Sequence, residues 1–180
     1  MDIINLQIPD IKIINPDVLE DTRGSFQESY NKNKLQNWGI NYDFVQDNYS
    51  ITLRKGTIRG LHFQTAPMAQ TKLIKVMEGV ILDVVVDLRK SSPTFKQHLI
   101  VELDSAKHQQ ILIPKGFAHG FYSMTDNCKV FYKVDNFYSP AHNAGIIWND
   151  KTLNIPWPSK TPLVSEQDQK WPNFENGYTF

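Results

Sequence analysis

Cysteine is almost missing from this chain: Cys128 is the only one in 180 residues. No intrachain disulfide can form, which favours a reducing compartment. A surplus of charge is missing too, because 19 Lys and Arg stand against 19 Asp and Glu. Without a basic field the surface has no general hold on nucleic acid or an anionic membrane. Any anion must be bound by a few placed cations. No apolar run approaches the ~20 residues of a membrane span, and Met1-Asp2-Ile3-Ile4-Asn5 lacks the charged and apolar regions of a secretion signal. Repeats, low-complexity tracts and linkers are absent. Apolar residues at 41% and charged ones at 21% are ordinary globular values. The expectation is a cytoplasmic protein with one domain spanning residues 1–180 and no nucleic-acid or membrane partner.

Helical periodicity is scarce, and short β-branched and aromatic runs dominate. Thr71 to Val76 and Val80 to Asp87 flank Glu78-Gly79, which reads as a hairpin turn; His98 to Leu103, Gln109 to Ile113 and Lys129 to Val134 continue the pattern. Many short strands separated by turn residues predict an antiparallel sandwich or small barrel. One short helix is expected over Tyr30 to Trp38, stopped by Gly39, and a second starting at Ser165. From Trp148 onward, Pro156, Pro158, Pro162 and Pro172 preclude long helices and central strands. Trp157 and Trp171 in that tail predict an ordered wrap packed on the barrel, anchored at Trp148-Asn149-Asp150 and Ile155-Pro156-Trp157-Pro158.

The most informative stretch is Ile58-Arg59-Gly60-Leu61-His62-Phe63-Gln64. A histidine can exchange a proton near neutral pH, and an arginine can hold an anionic group in bidentate geometry. In a regular strand Arg59 and His62 would point to opposite faces. Gly60 between them predicts a bulge that brings both to one side. A second stretch, Pro114-Lys115-Gly116-Phe117-Ala118-His119-Gly120-Phe121, sets a histidine between glycines with aromatics beside it, a composition suited to a cavity wall. Pro-x-Gly-x-x-His is also the second sequence box of cupins, so a jelly-roll barrel is the favoured architecture. The first cupin box should offer two histidines and a glutamate, whereas His62-Phe63-Gln64 has neither a second histidine nor a glutamate. A catalytic metal is not expected.

Taken in order, several stretches resemble the dTDP-4-dehydrorhamnose 3,5-epimerase family (the RmlC type). They are Asp21-Thr22-Arg23-Gly24-Ser25-Phe26, Phe44-Val45-Gln46-Asp47-Asn48, Arg59 to Gln64, Val86 to Phe95, Gly116 to Phe121 and Trp148-Asn149-Asp150. The resemblance implies an all-β cupin jelly-roll barrel with short peripheral helices and the Pro-rich C-terminal wrap. It also implies a homodimer that needs no metal or cofactor and inverts two carbons beside a keto group on a dTDP-sugar. The product would feed L-rhamnose synthesis for polysaccharide. Carried over residue by residue, the resemblance makes His62 the base, Asp168 its dyad partner and Tyr132 the acid on the opposite face. Lys72 and His119 fall near the keto oxygen, where a donor stabilises an enolate. Arg23 and Arg59 match pyrophosphate contacts; Glu28, Gln46 and Asn48 match polar positions of the sugar-nucleotide site, and Tyr138 the aromatic that stacks on thymine. Exchange of the N-terminal strand region between subunits would send Arg23, Phe26 and Glu28 to the partner's site.

Each of these residues also has a structural role open to it. Asp168 in Ser165-Glu166-Gln167-Asp168 fits a capping box. Tyr132 could be a core or interface aromatic, Tyr138 an edge-strand aromatic, and Lys72 a solvated strand residue. Asp83 sits within an apolar run and needs a partner; pairing with His119 is expected. Asn143 stands where many members carry glutamate and Gln167 where many carry a basic residue, so the nucleotide contacts are the least determined. The alternatives are a relative inverting only one carbon of a related 4-keto-6-deoxy sugar nucleotide, and a sugar-binding cupin without turnover.

Overall fold

The computed structural model describes residues 1–180. In chain order the strands are β1 (Asp2–Asn5), β2 (Lys12–Asn15), β3 (Val18–Asp21), β4 (Gly24–Gln27), β5 (Gln46–Thr52), β6 (Thr57–Gln64) and β7 (Lys72–Glu78). Then follow β8 (Val80–Asp87), β9 (His98–Asp104), β10 (Gln110–Ile113), β11 (Phe117–Ser123), β12 (Cys128–Val134), β13 (Asn143–Gly145) and β14 (Leu163–Val164). The helix α1 (Lys32–Asn37) lies between β4 and β5. One sheet has the order β1-β2-β10-β7-β12-β5 and the other β13-β6-β11-β8-β9, with β14 added in parallel beside β6. The remaining pair, β3–β4, forms a separate two-stranded ribbon. Two facing, largely antiparallel sheets answer to the sandwich or small barrel expected from the strand spacing.

Apolar residues on alternate positions explain how the layers close. On β8, Ile81 and Val85 join Ile74, Val76, Ile111, Phe121 and Val130 between the sheets. Val84 and Val86, on the other face of the same strand, pack with Leu61, Phe63, Ile146, Leu153, Ile155 and Phe174 under the C-terminal wrap. A strand buried on both faces reads as a continuous apolar run. Burying each such side chain contributes about 1.5–3 kcal/mol. A third cluster, Ile14, Leu35, Ile40, Leu73 and Leu112, seats α1 on the outside of the first sheet. That helix is capped by Asn31, whose side chain accepts the Lys34 N–H at 3.1 Å, and Gly39 follows its Trp38 end.

Two expectations need correction. Glu78-Gly79 is not a hairpin: β7 and β8 lie in different sheets, and the turn carries the chain across the barrel corner. Gly79 has φ +84, and a Cβ there would come within 2.4 Å of Thr125 Oγ1, so the corner is cut too tightly for any side chain. The helix expected from Ser165 is a single 3₁₀ turn, Asp168–Lys170. Pro172 stops it from growing.

The wrap takes the course its tryptophans and prolines indicate. Trp157 donates its indole N–H to Trp148 O at 2.7 Å, and the buried Asp150 carboxylate accepts the backbone N–H groups of Thr152, Leu153 and Phe174 at 2.8–2.9 Å. The chain then returns past the edge of β6, which places Asp168 against the barrel mouth.

Candidate active site

Gly60 decides which way two functional side chains point. On β11, His119 and Phe121 are two residues apart and share a face. They pair with His62 and Arg59, which are three apart on β6. The extra residue is the bulge expected at Gly60. Its φ is +138, and an added Cβ would lie 2.5 Å from Gly120 Cα, so only glycine fits. Arg59 and His62 therefore line the same chamber, of about 660 Å³, together with Lys72, His119, Tyr132 and Asp168.

His62 Nε2 lies 2.6 Å from Asp168 Oδ1. Burial raises the Asp168 carboxyl, but the hydrogen bond and charge of His62, the Gly60 N–H and the Trp171 indole outweigh it and hold the group below its ordinary value. An ionised carboxylate only accepts, so Nε2 carries a proton, which leaves Nδ1 as the atom that can act as base. The Ser165 hydroxyl meanwhile accepts the Asp168 N–H at 3.1 Å. The capping role of that segment and the contact with His62 thus coexist, one through the backbone and one through the side chain.

Lys72, from β7, reaches the same space and donates to His62 O at 3.4 Å. Burial lowers its ammonium to about 8, opposed by the charge of Asp83. His119 Nε2 pairs with fully buried Asp83 at 2.8 Å. Burial holds the imidazole below its usual range in spite of that carboxylate. Tyr132 comes from β12, in the sheet opposite His62. Burial raises its phenol, opposed by Arg59, so it keeps its proton at neutral pH. Arg59 is held at the rim by Thr52 Oγ1 and Ile51 O, both at 2.9 Å.

An outer section of about 190 Å³ continues from the chamber and shares His62, Lys72, Tyr132 and Gln167 with it. Gln46, Asn48, Tyr138 and Asn143 line it, joined by Gln64, Gln70 and Gln167. Tyr138 is not on a strand; it lies in the loop after β12, and its N–H donates to Gln46 Oε1 at 2.9 Å. Gln64 fixes the same loop, donating to Phe137 O at 3.1 Å and accepting from Ser139 N at 2.6 Å. Gln64 was not among the expected site residues, although its place two positions beyond His62 on one strand face was a readable signal. Trp171 was expected only as packing. Arg23, Phe26 and Glu28 do not join this cavity. Arg23 and Phe26 sit on the exposed β3–β4 ribbon and Glu28 just beyond it, paired with Lys34. No group of three or more His, Cys, Asp or Glu side chains is arranged to hold a metal ion, and no helix is long and apolar enough to cross a membrane.

The profile of the family described as dTDP-4-dehydrorhamnose 3,5-epimerase matches residues 5–176. The chain belongs to that family. As a member of the dTDP-4-dehydrorhamnose 3,5-epimerases it is an isomerase with a cupin jelly-roll fold. The epimerase of Shigella flexneri is 46% identical over 169 residues, 93% of each chain. A crystal structure of the Bacillus anthracis epimerase with TDP and PPi bound superposes with TM-score 0.93 at 51% identity, covering 96% of this chain and 98% of that one. The Legionella pneumophila dTDP-6-deoxy-D-glucose-3,5-epimerase, in complex with dTDP-4-keto-L-rhamnose, has TM-score 0.92 at 40% identity, covering 97% and 93%.

Proposed function

We propose that the protein inverts C3 and C5 of dTDP-4-dehydro-6-deoxy-D-glucose, giving dTDP-4-dehydro-β-L-rhamnose. The observation that carries this reading is that an imidazole–carboxylate pair and a protonated phenol enter one chamber from opposite sheets, His62 and Asp168 on one side and Tyr132 on the other. Inversion needs that arrangement: a base on one face of the carbon and an acid on the other. His62 removes the proton beside the C4 ketone, and Asp168 stabilises the imidazolium that forms. Lys72 donates to the developing enolate oxygen, with His119 and its Asp83 partner beside it. Tyr132 then delivers a proton from the other face.

Arg59 suits the pyrophosphate, and Tyr138 at the outer section suits the thymine face, with Gln46, Asn48 and Asn143 as polar contacts. The β3–β4 ribbon supports a homodimer in which Arg23, Phe26 and Glu28 complete the partner's site, since all three are exposed and none lines its own cavity. Sedimentation as a monomer at working concentration would remove that part.

The reaction is tested by incubating the protein with the dTDP-4-keto sugar in heavy water and locating deuterium by NMR. Incorporation at C3 and C5 is expected. Incorporation at one carbon alone would make the protein a mono-epimerase, and none at either carbon would leave a binding protein.

A further inference from the structure

Trp171 donates its indole N–H to Asp168 Oδ1 at 3.2 Å. This is the oxygen that faces His62 Nε2 at 2.6 Å. The other oxygen, Oδ2, accepts the Gly60 N–H at 3.1 Å. The carboxylate is therefore shared between the imidazole and two further donors, one of them competing for the very atom that holds the histidine.

The indole is fixed from several sides. The 3₁₀ turn over Asp168–Lys170 sets Trp171 three residues beyond Asp168. Its ring stands edge-on to the His62 imidazole, with centroids 6.2 Å apart and planes at 71°. It also lies flat against Gly145 on β13, where an added Cβ would come within 2.5 Å of the ring. The next residue, Pro172, accepts the Ile147 N–H at 3.0 Å and pins the segment. A side chain serving only to fill space would not need its N–H directed at an ionised oxygen.

We propose that Trp171 is a positioning residue that tunes the His62–Asp168 pair. A hydrogen bond to Oδ1 withdraws negative charge from the side of the carboxylate that faces the imidazole. Asp168 then holds the imidazolium less tightly, and neutral His62 stays available as base at lower pH. Without the indole N–H the carboxylate retains the proton on His62 more strongly. The other ionisable groups facing the pair are Lys72, His119 with Asp83 behind it, Tyr132 and Arg59. None of them is hydrogen-bonded to Trp171, so its replacement leaves their contacts in place. The inference rests on the reading of His62 as the base.

The test is the pH dependence of kcat/KM for the dTDP-4-keto sugar in the Trp171→Phe variant. A second variant carries β-(3-benzothienyl)alanine at position 171, which keeps the bicyclic shape against Gly145 and removes only the N–H. The acid limb of the profile reports the essential base of the free enzyme. It should move to higher pH by about half a unit or more in both variants, with turnover on the plateau preserved in the benzothienyl form. An unmoved limb with a lowered plateau would mean that Trp171 only packs, and would overturn the proposal. His62→Ala, measured alongside, keeps the two readings apart. If it is inactive and the limb is unmoved, the tuning alone fails; if it still turns over, the base assignment fails and the tuning with it.

Discussion

Asp168 Oδ1 and His62 Nε2 lie 2.6 Å apart although 106 positions separate the residues in the chain. The contact exists because the C-terminal wrap returns along the edge of β6, where β14 pairs in parallel with Thr57 and Ile58. What places the carboxylate is the wrap's course past Gly60, whose N–H it also accepts.

Asp168→Asn preserves the shape of the pair and removes its charge. The amide can also fix the wrong imidazole tautomer. Turnover should fall on the order of 10²–10⁴-fold, with a stability loss of about 1–3 kcal/mol because the buried group no longer accepts from His62, Gly60 and Trp171 together. Steady-state kinetics beside a melting curve checks this, and wild-type kcat would end the dyad.

Tyr132→Phe takes away the acid and leaves the base. Deuterium exchange at the carbon should persist, while inversion slows by about 10² or more. Product analysis by NMR separates the two. Inversion at the wild-type rate would place the proton donor elsewhere.

Lys72 must be protonated to stabilise an enolate, and its ammonium is lowered to about 8 by burial. Activity should therefore decline as pH rises through about 8 and hold below it down to the acid limb set by the base. Lys72→Met should reduce kcat on the order of 10²–10³-fold and lose that basic limb. A variant profile with the limb intact would assign it to another group.

Asp87 tests the barrel rather than the site. Burial raises its carboxyl, but Arg89, Ser92 and Thr94 outweigh burial and bring it down to about 2. A depressed carboxyl contributes stability that is present above its unfolded value of about 3.9 and is lost as pH falls through about 2. Asp87→Asn should cost about 1–3 kcal/mol at neutral pH. The difference from wild type should shrink in urea titrations carried out between those two values, and a constant difference would contradict the assignment.

Gly60→Ala forces a Cβ to within 2.5 Å of Gly120 Cα at a φ of +138. A loss of about 3 kcal/mol or more is expected by chemical denaturation. Turnover should be lost with it, because the bulge is what turns Arg59 and His62 to one side. An unchanged unfolding midpoint would show that the strand can repack.

The all-β class, the wrap and the bulge between Arg59 and His62 were legible in the sequence because they depend on local features, whereas most other cavity residues were named only through the family resemblance. Alternation says which side chains share a face, prolines say where regular structure stops, and a glycine between Arg59 and His62 says where a strand can bulge. Glu78-Gly79 shows the limit. A glycine turn between two apolar runs reads the same whether the strands pair or separate into two sheets. That choice depends on how the whole barrel closes, and here β7 pairs with β10 and β12 while β8 pairs with β9 and β11. The same limit hid the work of Gln64 on the Tyr138 loop and of Trp171 on Asp168. The loop that Gln64 holds lies 73 to 75 positions away; Asp168 is only three from Trp171, but the meeting of that carboxylate with His62, 106 positions away, is what gives the indole N–H its role. The sequence by itself determined which chemical groups were present and which faces they could share. Only the tertiary structure decided which of them meet, because a hydrogen bond of about 3 Å depends on the packing of every layer between its ends.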